Sequence, residues 1–248
     1  MYASGSTWAY NVMRSVAASL HGDKPVRGRF VNTLAEAGGL EDDASVHVVK
    51  THDVPADAAA ELLRLATRIV VTVRDPRDAV TSLMLYQRFP FPLGLEWVAR
   101  SAAFVGGLAD DPRALLLRYE SGFTEAPATL DAIARHFGGA LPAAERDLLF
   151  AQHARAAVEG WIAALETQPQ SVRDARSGDI FDPETQWHRH HAGRSGEVGR
   201  WRRMLLPWQV AAVEREMGAW MARFGYAPAP AVAAPAYTLR VGTFSVKL

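Results

Sequence analysis

Two short β-branched runs in this 248-residue chain end in side chains that handle protons and anions. Ser45-Val-His-Val-Val-Lys50 continues into Thr51-His52-Asp53, and Ile69-Val-Val-Thr-Val73 continues into Arg74-Asp75-Pro76. A histidine such as His52 suits general-base work, because an ordinary pKa of ~6.5 lets it accept a proton near neutral pH. Read alone, it is more often an ordinary surface or hydrogen-bonded loop histidine, just as Arg74 alone could simply pair with Asp78 and Tyr119 alone reads as a core aromatic. Lys50 and Arg74 supply positive charge for an anion. A further stretch, Ser4-Gly5-Ser6-Thr7-Trp8, places hydroxyls and a glycine ahead of Trp8, Val12, Val16 and Leu20, which recur at helical spacing. Such a loop presents unpaired backbone N–H groups and the positive end of a helix dipole to one point. Its natural occupant is a phosphate or sulfate, although the same residues also make a plain N-cap.

These residues depend on elements that bring them to one edge. The two β-branched runs and Ala114-Leu-Leu-Leu117 read as strands, the last ending at Arg118-Tyr119-Glu120. Between them lie helical stretches: Asp57 to Ala66, a helix capped by Asp75 with Pro76 in its first turn, and one over about Leu95 to Leu108. Ser82 lies about two turns along the second of these, on the side of Asp75 and Asp78. His21 to Gly39 reads as a long loop with a short helix near its end. Ala126 to Leu165 reads as helix broken at Gly138-Gly139 and Pro142, Gln168 to Gly199 as polar and mobile, and Pro207 to Phe224 as a last helix. Alternating strands and helices predict a single α/β domain over residues 1–226, a parallel sheet flanked by helices on both faces. An Ala/Pro linker and a strand-like tail follow over 227–248. Ligands bind such sheets at the carboxyl ends of the strands, where Lys50, His52, Arg74 and Tyr119 all fall.

Composition narrows the function. Lys plus Arg and Asp plus Glu are both 27, so the basic excess of a general nucleic-acid binder is absent, and any anion site must be a local cluster of cations. With no cysteine, disulfides and thiolate chemistry are excluded, which fits a reducing cytoplasm. No apolar run approaches ~18 residues, and the chain does not open on a charged and then apolar leader, so neither membrane insertion nor secretion is expected.

Taken together, the segments resemble the sulfotransferases that use 3′-phosphoadenosine 5′-phosphosulfate (PAPS), a branch of the P-loop nucleotide-binding fold. Ser4-Gly5-Ser6-Thr7-Trp8 is similar to the family's 5′-phosphosulfate loop, whose tryptophan packs on adenine. Lys50-Thr51-His52 resembles the motif carrying the catalytic base. Val73 to Ser82 resembles the 3′-phosphate segment, in which the arginine (here Arg74) and the serine eight residues on (Ser82) hold that phosphate. Tyr119 falls where the family has an adenine-side tyrosine. Arg194-Ser195-Gly196 through Trp201 resembles the late segment that closes over the 3′-phosphate. The resemblance covers residues 2–226 and implies transfer of a sulfuryl group from PAPS to a hydroxyl of a small-molecule or carbohydrate acceptor. It implies His52 as base and Lys50 as the group that neutralises charge, with no metal needed.

One position departs from the pattern. Where the family carries a lysine or arginine just before the Ser-Gly of the loop, this chain has Ala3. Two other readings therefore stand beside the first: a P-loop phosphotransferase using Mg-ATP, for which the loop lacks its lysine and Asp75 is the one tempting acid, and a non-catalytic nucleotide-binding protein. His188, His190 and His191 invite a metal, but their spacing does not share a helix face and no acidic neighbour adjoins them, so a flap over the site is expected instead. Phe89, Phe91, Trp97, Trp161 and Trp187 are candidate walls of an acceptor pocket. Finally, a phosphate loop is normally fed by a buried strand, yet Ser4 follows only Met1, Tyr2 and Ala3. The sheet is predicted to hold an empty slot of about five residues. A segment preceding Met1 is the favoured occupant and the tail from Tyr237 to Val246 the rival, disfavoured because Gly242 interrupts its alternation.

Overall fold

Helix α1 (Ser6–Leu20) begins directly after the opening loop and buries Trp8, Val12 and Val16, the apolar positions that the helical spacing picks out. The computed structural model describes residues 1–41, 44–175, 178–191, 196–230, 238–241 and 244–247. Strand β1 (Val26–Phe30) pairs in parallel with β2 (Val46–Lys50), and β3 (Ile69–Val73) in parallel with β4 (Ala114–Arg118). Between the strands run α2 (Leu34–Ala37), α3 (Ala56–Leu65), α4 (Pro76–Tyr86) and α5 (Phe91–Leu108). After β4 come α6 (Ala128–His136), α7 (Ala143–His153) and α8 (Arg155–Ala163), and later α9 (Trp201–Met204) and α10 (Pro207–Arg223). The apolar faces of α4, α5 and α10 close one core over Val71 and Val73, while α1 and α6 close another over Leu117.

Two sequence expectations need correction. Residues 21–39 are not simply a loop: they contain β1 as well as the anticipated short helix. Val-Arg-Gly-Arg-Phe hides a strand because Gly28 interrupts it, and that glycine is required. A Cβ there would sit 2.1 Å from Tyr10 Oη and 2.7 Å from Arg14 Nε, so α1 can lie against β1 only over a bare backbone. Residues 168–199 are likewise not all irregular. They hold a small antiparallel hairpin of β5 (Val172–Arg173) and β6 (Ile180–Phe181).

The parallel sheet is also divided. Among the described residues β2 and β3 do not pair, and between them lies a cavity of about 520 Å³ lined by Val48 and Lys50, Val70 and Thr72, Met13 and Phe104. This is the gap anticipated where a strand feeding the loop would run. Met1 is buried at its edge, its amino group donating to the Thr72 carbonyl at 2.9 Å. The tail strands β7 (Thr238–Val241) and β8 (Phe244–Lys247) pair antiparallel with each other, and among the described residues neither pairs with β2 or β3. No helix among the described residues is long and apolar enough to cross a membrane.

Candidate active site

The opening loop turns through two left-handed residues, Ala3 at φ 54° and Gly5 at φ 80°. Glycine at position 5 is needed twice over, since a Cβ would also come within 3.0 Å of Phe123 Cζ and 3.2 Å of Tyr119 Cδ2. Gly5 is the N-cap of α1 and supplies no side-chain oxygen, so the first-turn N–H groups of this 15-residue helix keep no side-chain cap. Ser6 opens the helix with a hydroxyl that has no protein partner among the described residues. Ser4 is turned the other way. Its hydroxyl is fully buried, 2.6 Å from Thr72 Oγ1 and donating to the Met1 carbonyl at 2.6 Å, and it ties the loop to β3. Trp8 is also taken up by the protein: its indole N–H donates to the His153 carbonyl at 2.8 Å and its ring packs against Phe123.

Register brings the other charged groups to the same edge. Lys50 is the last residue of β2, level with Phe30 of β1, while Arg74 and Tyr119 follow the paired ends of β3 and β4. The Lys50 ammonium donates to Thr7 Oγ1 at 2.8 Å and lies 5.4 Å from the centre of the Phe30 ring. Burial, with no carboxylate to offset it, pulls its pKa down to about 7. Two residues on, His52 stacks on Tyr2 with ring centres 4.2 Å apart and an interplanar angle of 29°. Its Nδ1 is buried with no hydrogen-bond partner. Burial first, then the nearby positive charge of Lys50, holds its pKa well below the usual imidazole value, so the ring is neutral at physiological pH.

Arg74 is 3% exposed, yet it forms no ion pair among the described residues. Its guanidinium donates to the carbonyls of Ala3 and Glu197, each at 2.9 Å, lies 4.4 Å from the centre of the Tyr119 ring, and leaves Nε buried without a partner. Asp78, the partner that the sequence alone offers it, accepts the backbone N–H groups of Gly199 at 2.6 Å and Trp201 at 2.9 Å instead. By contrast Arg77, three residues from Arg74, is clamped to Asp75 at 2.7 Å and Glu214 at 2.7 Å. Asp75 caps α4 through the Arg77 N–H and Pro76 sits in its first turn, as the sequence indicates. Ser82 lies half-buried on α4 with a hydroxyl that has no protein partner among the described residues.

Gly196 comes over this group. Tyr119 Oη donates to its carbonyl at 3.3 Å, and a Cβ on it would meet both Tyr119 Oη and Arg155 Nη2 at 2.7 Å. The two residues before it, Arg194 and Ser195, lie outside the described residues.

Several participants escape sequence reasoning. Tyr2 stacks on His52 and donates to Asp53 Oδ1 at 3.3 Å, and Asp53 in turn is gripped by Arg100. Tyr2 also meets Trp97, which meets Phe89, giving an aromatic wall that leads to His52. Position next to the loop is the one signal that marks Tyr2 in the sequence. Of the other proposed wall residues, Phe91 packs on Trp208, Trp161 is exposed and Trp187 packs on His191.

No family model matches this sequence, and no curated protein matches it. Solved structures do. A mouse sulfotransferase, SULT7A1, complexed with PAP superposes with a TM-score of 0.61 at 14% identity, over 89% of this chain and 81% of that one. Retinol dehydratase in complex with androsterone and the inactive cofactor PAP gives 0.60 at 16% identity, over 88% and 78%. The same enzyme with retinol and PAP gives 0.58 at 16% identity over the same shares. This chain has the sulfotransferase fold.

Proposed function

We propose that this protein transfers a sulfuryl group from PAPS to a hydroxyl of a small-molecule acceptor. The observation that carries the reading is the Lys50–Thr7 contact at the uncapped start of α1, with the unpartnered Nδ1 of His52 two residues further along. The binding of PAP by the similarly folded proteins supports the choice of nucleotide. The residues suit it. Uncapped N–H groups, an arginine with a free buried Nε and no carboxylate, and the hydroxyls of Ser6 and Ser82 are groups that an anion with two phosphates would satisfy.

In this reading the N–H groups of Gly5, Ser6 and Thr7 hold the 5′-phosphate, with Ser4 shaping the loop from behind. Arg74 and Ser82 hold the 3′-phosphate together with Arg194, Ser195 and Gly196, and Tyr119 flanks the adenine side, with Trp8 backing the loop through Phe123 rather than facing the base. PAPS supplies a sulfuryl group whose leaving phosphate is already a good one. His52 takes the proton from the acceptor oxygen as that oxygen bonds to sulfur. Lys50 donates to the bridging oxygen as its bond to sulfur breaks, which keeps the charge developing on the leaving phosphate next to a cation. A base held neutral by burial and a partly charged lysine beside it are the protonation states this step needs. Tyr2, Trp97 and Phe89 favour an apolar or aromatic alcohol over a carbohydrate, and retinol dehydratase, one of the similar folds, was crystallised with the apolar alcohols retinol and androsterone.

Ala3, with no cationic side chain at the bridging oxygen, favours a second reading as a nucleotide binder without turnover. Incubating the protein with labelled PAPS and a panel of phenols and alcohols, beside Mg-ATP with and without chelator, separates the readings. Sulfuryl transfer that resists chelation supports the first. PAP binding without transfer leaves the second, and phosphoryl transfer from Mg-ATP overturns both.

A further inference from the structure

The hairpin that follows α8 assembles a set of donor atoms that the nucleotide site does not use. Asp179 immediately precedes β6, and Phe181 of that strand bridges back to His188, so the chain folds over on itself and stacks the two rings at 4.9 Å and 11°. The short turn Arg189–His191 then brings His190 to the same carboxylate. His188 Nδ1 lies 2.9 Å and His190 Nδ1 2.6 Å from the same oxygen, Asp179 Oδ2, and the three donor atoms all lie within 4.8 Å of one another. The third histidine braces the turn: His191 Nδ1 accepts the His188 N–H at 3.2 Å. The sequence offers His188, His190 and His191 without an acid beside them. The hairpin supplies that acid from nine residues upstream of His188.

We propose that Asp179, His188 and His190 bind one divalent transition-metal ion of the zinc type. Around a tetrahedral zinc with bonds of about 2.0–2.2 Å, ligand atoms sit roughly 3.2–3.6 Å apart, so the 2.9 Å and 2.6 Å separations need to open by roughly 0.3–1.0 Å, within reach of side-chain rotation. Two imidazoles and one carboxylate match zinc, cobalt or nickel. Calcium and magnesium prefer all-oxygen shells, and copper(I) prefers sulfur. Three protein ligands leave a fourth position for water.

The gain from such an ion lies in what the hairpin connects, since its own apolar support is thin: Ile180 packs with Ile162 and Leu165. The same segment is fastened to α1, where Asn11 donates to the Thr185 carbonyl at 2.7 Å and Tyr10 to the Glu184 carbonyl at 2.9 Å. It then leads on to Gly196 and Glu197, which touch Tyr119 and Arg74. A metal here pins the chain that crosses from α1 to the arginine end of the nucleotide site. This inference does not depend on the sulfuryl-transfer reading.

The test uses tag-free, chelator-treated full-length protein titrated with zinc by calorimetry and with cobalt by visible absorption. The expected result is one equivalent of zinc bound in the micromolar range or tighter, tetrahedral cobalt bands, no response to magnesium or calcium, and a zinc-dependent rise in melting temperature. Asp179→Asn keeps the shape and some hydrogen bonding of the cluster but is a poor ligand, and His190→Ala removes a donor. Each should weaken zinc at least about tenfold and abolish the thermal shift. Circular dichroism checks that both variants are folded. Absence of stoichiometric binding in the parent protein overturns the proposal and leaves a hydrogen-bonded cluster, and so does zinc binding that Asp179→Asn and His190→Ala leave intact.

Discussion

His52 and the pair His188 and His190 are two histidine environments within one molecule, and they differ in what has been satisfied. The ring of His52 is enclosed by Tyr2 and Phe30, and its buried Nδ1 meets no partner. His188 and His190 each point Nδ1 at Asp179, so that nitrogen of each ring is provided for within the fold. The same contrast separates two arginines on one turn: Arg77 is locked between two carboxylates, while Arg74 has a buried nitrogen to spare. Leaving a buried polar atom unpaired costs about 1–3 kcal/mol, so unpaired groups gathered at one edge mark where a ligand belongs. A satisfied cluster points instead to structure or to an ion that can replace its internal bonds.

The largest expected effect follows from that difference. His52→Ala should lower kcat by about 10²–10⁴-fold while PAP affinity stays within a few-fold, as loss of a general base does. An equal loss of kcat in His190→Ala, measured beside it, would erase the distinction between the two environments.

Next comes the contrast of the arginines. If Arg74 holds the 3′-phosphate, PAP should bind at least tenfold tighter than AMP. Arg74→Ala should remove most of that preference, a change of about 1.5–3 kcal/mol for a charge-assisted hydrogen bond. Calorimetry giving equal affinities for the two nucleotides in the parent protein contradicts the assignment.

A smaller effect concerns protons. Lys50 is near half-charged at neutral pH because burial holds it at about 7. A bound polyanion favours the charged form and raises that value, so binding should take up roughly half a proton at pH 7. Affinity should fall as pH rises above 7, by up to about tenfold per unit until the bound-state value is reached. Titrations in buffers of different ionisation enthalpy report this directly, and proton release on binding would count against the placement of Lys50.

The smallest effect concerns backbone groups rather than side chains. The facing edges of β2 and β3 line a cavity and pair with no strand among the described residues. Fusing a short strand-forming segment ahead of Met1 should raise the melting temperature by about 2–8 °C, the shift that 1–2 kcal/mol produces in a domain of this size. An unchanged melting temperature would mean that these edges cost little as they stand.

Much of this was legible in the sequence wherever regular elements position the chemistry. The helical spacing of Trp8, Val12 and Val16 gives α1, the β-branched runs give β2 and β3, and Asp75-Pro76 gives the start of α4, so the convergence of Lys50, Arg74 and Tyr119 follows from the α/β alternation. Legibility fails where tertiary contacts decide. β1 alternates charge with glycine and is a strand because Gly28 admits α1. The hairpin strands β5 and β6 are two residues each, too short to carry a period, so nothing in the spacing brings Asp179 to His188. Side-chain direction is likewise invisible in a motif. Ser4 and Trp8 belong to the loop that the sequence marks, yet the fold turns the first to Thr72 and the second to His153.

The most direct test of the central claim is a single-turnover assay of labelled sulfuryl transfer from PAPS to a phenol, run with the parent protein and with His52→Ala. The account predicts a labelled sulfate ester and PAP in equal amounts from the parent, with the transfer step slowed by at least about 10²-fold in the variant. Transfer at the same rate in both proteins, or PAP-competent parent protein that forms no ester with any acceptor, would contradict it.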